Sequence, residues 1–205
     1  MKAAIVFLLS TLPLALAACG GDSGGSGSTA GTGGAGGAGG AGGGSALTQF
    51  PAVSECGGFV KSGSPGAKID PPTTDPATYC DAERLLWVYD AASQSLGLSN
   101  TRVLLNCCGD HSISVVEEDG TYVINEVDAP EAAAGGARCG CMCVFDYTIS
   151  VEPIPAGALP VRLVLDVTDS MMPPKVVFEG SLDLSKGSGE LVIDPNTVDP
   201  WCTPP

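Results

Sequence analysis

Ser112-Ile113-Ser114-Val115-Val116-Glu117-Glu118-Asp119-Gly120-Thr121-Tyr122-Val123-Ile124-Asn125-Glu126-Val127 is the stretch that decides the fold class. Two runs with β-branched residues flank Asp119-Gly120, a dipeptide that accepts the positive φ angles of a tight primed turn. The stretch reads as a β-hairpin. Outward from it, short apolar runs recur between turn residues: 85–89, 96–98, 101–106, 141–151, 161–167, 175–184 and 190–193. In the fourth of these, Val144, Tyr147, Ile149 and Val151 occupy both faces, the pattern of a strand covered on each side. Spacing of this kind predicts an all-β domain, an antiparallel β-sandwich of immunoglobulin-like architecture. Residues 75–89 carry two signals. Asp75-Pro76 is able to cap and open a helix, and Ala82, Leu85, Leu86 and Tyr89 keep helical spacing. Against that, Leu85-Leu86-Trp87-Val88-Tyr89 is rich in strand formers and residues 90–95 read as a turn. The expectation is a strand, after one helical turn. The proline-rich residues 61–78 read as an ordered or semi-ordered loop.

The sandwich is assigned to residues 46–205, a length that suits one domain. Lys2 and Asp22 are the only charged residues before it and cancel, so the domain keeps the chain's net charge of −14. A surface of that sign repels phosphate backbones, which excludes nucleic acid as a partner.

Ahead of the domain, Met1-Lys2 supplies a positive charge, and residues 3–18 are apolar apart from Ser10 and Thr11. This is a short signal-peptide core with a basic flank, without the length of a comfortable membrane span. It ends in Leu16-Ala17-Ala18-Cys19, which resembles a bacterial lipobox. The resemblance implies removal of residues 1–18, diacylglycerol (and palmitate-type acyl groups) on Cys19, and a membrane partner reached through that lipid. Gly20 stands where an inner-membrane retention Asp would be, so the outer membrane is the expected address. Residues 20–45 comprise 15 Gly, 4 Ala, 4 Ser, 2 Thr and one Asp. With nothing to bury, 19–45 is expected to be a lipidated cysteine followed by a disordered tether, with a span of roughly 25–30 Å. Two chance matches lie within it. Gly21-Asp22-Ser23-Gly24-Gly25 spells the surroundings of a trypsin-like nucleophile, and Gly34–Gly39 fits G-x-G-x-x-G. Neither has the strand, helix or barrel that its chemistry requires, and both are rejected.

Beyond Cys19 there are eight cysteines: Cys56, Cys80, Cys107, Cys108, Cys139, Cys141, Cys143 and Cys202. An even number in an exported chain argues for disulfides, with connectivity undetermined. Five lie in a central cluster and three outside it. If all eight pair, an odd number of bonds must therefore join the two groups. On a strand Cys139, Cys141 and Cys143 share a face, while Cys107 and Cys108 oppose each other unless their strand has ended. The two segments are expected to meet as a sulfur-rich patch at one end of the sandwich.

Leu96-Gly97-Leu98, then Asn106-Cys107-Cys108, then Cys139-x-Cys141-x-Cys143-x-Phe145-Asp146-Tyr147 is similar to a pattern in bacterial surface lipoproteins. The resemblance covers residues 96–151. It implies a β-sandwich and supplies no catalytic residue.

The same patch has an alternative chemistry. Cys107, Cys108, Cys139, Cys141 and Cys143 with His111, the one histidine, offer a thiolate–imidazole set for copper or zinc, or a redox centre. The C-C and C-x-C-x-C spacings depart from zinc-site patterns, and an oxidising compartment removes free thiolates. Disulfides are therefore expected, with no metal and no cofactor, and His111 is read as a polar turn residue beside Asp110. Asp166-Val167-Thr168-Asp169 offers carboxylates for calcium, too few alone. No nucleophile elbow accompanies His111, and no enzyme is expected. The leading expectation is a non-enzymatic binding, adhesion or structural module of the cell envelope. An exposed patch around Trp87, Tyr89 or Trp201 would direct it to a carbohydrate or protein ligand.

Overall fold

A computed structural model describes residues 46–57, 65–73 and 81–196. Among these residues nine strands form two packed sheets: β1 (Thr48–Val53), β2 (Glu83–Asp90), β3 (Ser95–Asn106), β4 (Asp110–Glu118), β5 (Thr121–Ala129), β6 (Met142–Glu152), β7 (Ala158–Val167), β8 (Lys175–Asp183) and β9 (Ser188–Asp194). One sheet has the order β1-β6-β3-β2-β9 and the other β4-β5-β7-β8. The expected all-β, disulfide-stapled sandwich is what forms. Its strands are not all antiparallel, because β5 and β7 run parallel, with Tyr122 opposite Val161. Parallel neighbours need a crossover between them. Here the chain leaves for the first sheet as β6 and returns as β7, so β6 is that crossover.

The deciding hairpin is present. Glu118 pairs with Thr121 across a two-residue loop, and Asp119 and Gly120 have φ of 49° and 80°. β6 lies between β1 and β3, and Cys143–Val151 is buried throughout. Its alternate residues Phe145, Tyr147, Ile149 and Val151 enter the core between the sheets. The runs 96–98 and 101–106 belong to one strand, β3, whose register against β6 shifts between Asn100 and Val103. The shift is a β-bulge, with Arg102 at φ 64°. Asp146 sits opposite it, and its carboxylate accepts the Arg102 backbone N–H at 3.0 Å.

β1 has no counterpart among the sequence-predicted strands. Pro51 argues against a strand, yet proline is tolerated at a sheet edge, where β1 lies. Gln49 on β1 then reaches the other sheet. Its amide nitrogen donates to Val115 O at 2.7 Å and its amide oxygen accepts Val115 N–H at 2.9 Å, closing that side of the sandwich.

Part of the proline-rich loop is ordered over the outer face of the first sheet. A Cβ on Gly97 would meet Pro71 Cα at 2.9 Å, and the Ser99 hydroxyl donates to Pro72 O. Trp87 and Tyr89 point inward and are 6% and 7% exposed, so neither offers the open aromatic surface considered above. A Cβ on Gly189 would lie 2.2 Å from the Trp87 ring, which explains the glycine opposite it on β9. Trp201, Asp75 and Pro76 lie outside the described residues, as does all of 1–45, Cys19 included.

Candidate functional site

The sulfur-rich end forms because both flanking strands stop short of it. β3 ends at Asn106 and β6 begins at Met142, so Cys107, Cys108, Cys139 and Cys141 lie off the ladder and only Cys143 is on a strand. Released from strand alternation, the adjacent cysteines reach separate partners: Cys107 bonds Cys141 and Cys108 bonds Cys139, with Cα separations of 5.6 and 5.3 Å. Cys56, just after β1, bonds Cys143 at a Cα separation of 5.6 Å. That is one bond between the cluster and a flanking segment, an odd number as parity requires. Cys80 and Cys202 lie outside the described residues.

Asn106 extends the ladder beyond its last backbone pair. Its Nδ2 donates to Cys139 O at 2.8 Å, and its Oδ1 accepts Cys108 N–H at 3.0 Å and Cys139 N–H at 3.3 Å. The carboxamide thus acts as a spare peptide group and holds both cysteine segments in register. The sulfurs of Cys107, Cys139 and Cys141 lie within 4.8 Å of one another. All three are spent in disulfides, which carry no thiolate for a soft metal. His111 does not join that group.

His111 is not a turn residue. It is the second residue of β4, with a side chain 5% exposed and its ring edge-on to Phe145 at a centroid distance of 4.2 Å. Strand alternation puts it on the face of Ile113 and Val115, which carries it into the core. Among the described residues neither ring nitrogen has a hydrogen-bond partner, and Asp128 Oδ1 stands 3.5 Å from Nε2, too far for a firm bond. Burial lowers the His111 pKa, against the pull of Asp128, and keeps the ring neutral. Asp128 is instead taken by Arg138, whose guanidinium also grips Asp169 through Nε at 3.1 Å and Nη2 at 2.6 Å. The Asp169 carboxylate considered for calcium is therefore occupied by an internal cation.

A second polar site lies between the sheets. Glu126 on β5 is 0% exposed, and its Oε2 accepts from Asn100 Nδ2 at 3.0 Å. The same nitrogen donates to Glu83 Oε1 on β2 at 3.0 Å. Glu126 Oε1 and Asn100 Oδ1 are buried without partners among the described residues. Burial raises the Glu126 pKa to about 8, the Asn100 hydrogen bond opposes that rise, and the Glu83 charge adds to it. Burial likewise raises the Glu83 pKa. Glu126 and Glu83 border a cavity of about 250 Å³ shared by strands of both sheets, with Val103, Leu104, Leu165 and Val177 as apolar walls and Lys175, Asp194 and Asn196 also lining it among the described residues. A shallower groove of about 540 Å³ runs between residues 70–73, β2 and β9.

The chain matches no family model, no curated protein and no solved structure. Function must therefore be argued from these two sites. Sequence reasoning placed the first and missed the second. The missing signal was alternation within the opening stretch: Ile124 and Glu126 share one face of β5, and Ile124 marks that face as buried.

Proposed function

We propose that this chain is an exported envelope lipoprotein, anchored in the outer membrane through acyl groups on Cys19. Residues 20–45 serve as a tether, and the sandwich is a non-enzymatic module that presents a ligand-binding surface, with a protein or carbohydrate as ligand. The observation that carries this reading is the pairing of Cys56, Cys107, Cys108, Cys139, Cys141 and Cys143. Three disulfides belong to an oxidising compartment, which agrees with the signal-like residues 1–18. Pairing also leaves the cluster without thiolates for copper, zinc or redox exchange. The buried Trp87 and Tyr89 turn the ligand preference away from sugar stacking and towards a protein. The solitary histidine, wedged between Phe145 and Asp128, weighs against acid–base catalysis.

The metal reading keeps one specific point in its favour, the approach of three sulfurs in a chain that has been reduced. Elemental analysis of non-reduced protein separates the two, with no stoichiometric copper or zinc expected. Anchoring is tested by Cys19→Ser, which should abolish labelling by a radioactive fatty acid and release the protein from membranes. Label retained on the variant would overturn the anchor.

A further inference from the structure

The cavity between the sheets is bordered by acidic side chains, and one buried carboxyl oxygen on its wall is left unused. Glu126 borders it and is 0% exposed, and among the described residues its Oε1 has no partner. A buried carboxyl oxygen without a partner is costly, so a cavity that keeps one on its wall calls for a donor from outside once that carboxyl ionises. We propose that this cavity binds an organic cation, a primary ammonium or guanidinium on a short aliphatic stem, held between Glu126 and Glu83. The inference rests on, and deepens, the reading of the sandwich as a ligand-binding module.

Charge selects a cation, since Glu83, Glu126 and Asp194 border the cavity and Lys175 is its one basic residue among the described residues. Spacing selects an organic one. Among the described residues no three carboxylate groups bring an oxygen each within 4.8 Å of one another, whereas calcium gathers its oxygens tightly. Ammonium and guanidinium groups carry three and five N–H donors, able to satisfy separated acceptors together. The walls complete the match: Val103, Leu104, Leu165 and Val177 give methylene groups an apolar lining. At about 250 Å³ the space suits a small ligand or a single side chain. Two sources share this chemistry, a free amine and a lysine or arginine side chain of a protein.

Binding is coupled to a proton. Glu126 is mostly protonated at pH 7 and must ionise to receive a cation. The charged groups facing it are Glu83, Asp194 and Lys175, with the Tyr147 hydroxyl close by, and both ligand cations stay charged throughout. Affinity should therefore rise about tenfold per pH unit below 8 and level off above it.

The test is calorimetry on the full chain in detergent, with 1,4-diaminobutane as a free amine and Nα-acetyl-lysine N-methylamide and its arginine counterpart as side-chain mimics. Binding with release of close to one proton at pH 7 is expected, and the tighter probe assigns the source. Glu126→Gln and Glu83→Gln, each checked for native circular dichroism, should weaken binding at least tenfold, and Glu126→Gln should abolish proton release. The proposal is overturned by the absence of heat from every probe at millimolar concentration, by unchanged affinity in both variants, or by stabilisation with calcium chloride that Glu126→Gln removes. Failure here with the acyl label intact removes the cation site alone, and loss of the label with amine binding intact removes the anchor alone.

Discussion

Removing the Cys108–Cys139 bond should cost far less stability than its 31-residue separation suggests. Cys107–Cys141 already holds the same two segments together. With that bond intact, the path from Cys108 back to Cys107, across the bridge and from Cys141 to Cys139 is about three residues, and closing so short a loop is worth only ~1.6 kcal/mol in the chain-entropy model. A free loop of the full separation would give ~3.7 kcal/mol. For Cys56–Cys143 the sequence separation is 87. The shortest path, through Cys107–Cys141, is about 53 residues, which corresponds to ~4 kcal/mol. Cys56→Ala/Cys143→Ala should thus destabilise more than twice as much as Cys108→Ala/Cys139→Ala. The two inner bonds should be strongly non-additive, with the second removed costing about 3.8 kcal/mol after a first loss of about 1.6. Urea unfolding followed by tryptophan fluorescence measures these differences, with mass spectrometry confirming the bonds that remain. Equal losses from the inner and outer pairs would refute the nested arrangement.

Mass spectrometry of unreduced, alkylated protein should find no free thiol. With six cysteines paired among themselves, Cys80 and Cys202 have only each other, so a cross-linked peptide joining them is expected and two alkylated cysteines would contradict it. Stability should fall as pH rises from about 4.5 towards 8, because Glu126 has a raised folded pKa and the folded state holds its proton longer than the unfolded state. Glu126→Gln should remove a few kcal/mol of that slope, read as melting temperature against pH, and an unchanged slope would disprove the assignment. His111 acts at the other end: its lowered folded pKa makes the unfolded state the better proton acceptor, so stability drops as pH falls below about 6.5, and His111→Phe should reduce that drop. Asn106→Ala should cost about 2–3 kcal/mol in denaturant unfolding, since it strips three hydrogen bonds from the cysteine segments, and a loss under 0.5 kcal/mol would show the carboxamide to be dispensable.

Strands whose alternation is local were legible in the sequence. The Asp119-Gly120 hairpin needed only its own residues, and β6 announced burial on both faces through Val144 and Tyr147. What escaped depended on neighbours distant in sequence. Pro51 hid β1, because its acceptability turns on β1 being an edge. Ser99-Asn100 looked like a break between two strands, because the bulge that follows is satisfied by Asp146, 44 residues from Arg102. The parallel pairing of β5 with β7 follows from β6 changing sheets, which no local pattern encodes. His111 and Glu126 were misjudged or missed for one reason. Polar residues on a buried face were read by type rather than by parity. The sulfur patch was placed correctly because cysteines declare their partners by chemistry, but the role of Asn106 emerged only once both strands were seen to end beside it.

The bond between Cys56 and Cys143 also has a mechanical meaning. A pull arriving along the chain from before residue 46 enters the sandwich at Thr48, the end of β1 paired with Glu152. β1 is an edge strand, so such a load unzips it from β6 one rung at a time, against weak resistance at each step. The unzipping cannot travel far. At Cys56 the force passes through a covalent bridge into β6, which β1 and β3 flank on its two sides. Residues 48–56 release roughly 30 Å of slack at full extension, and beyond that length the remaining strands bear the load together. The edge strand behaves as a short, rezippable shock absorber in series with a hard stop.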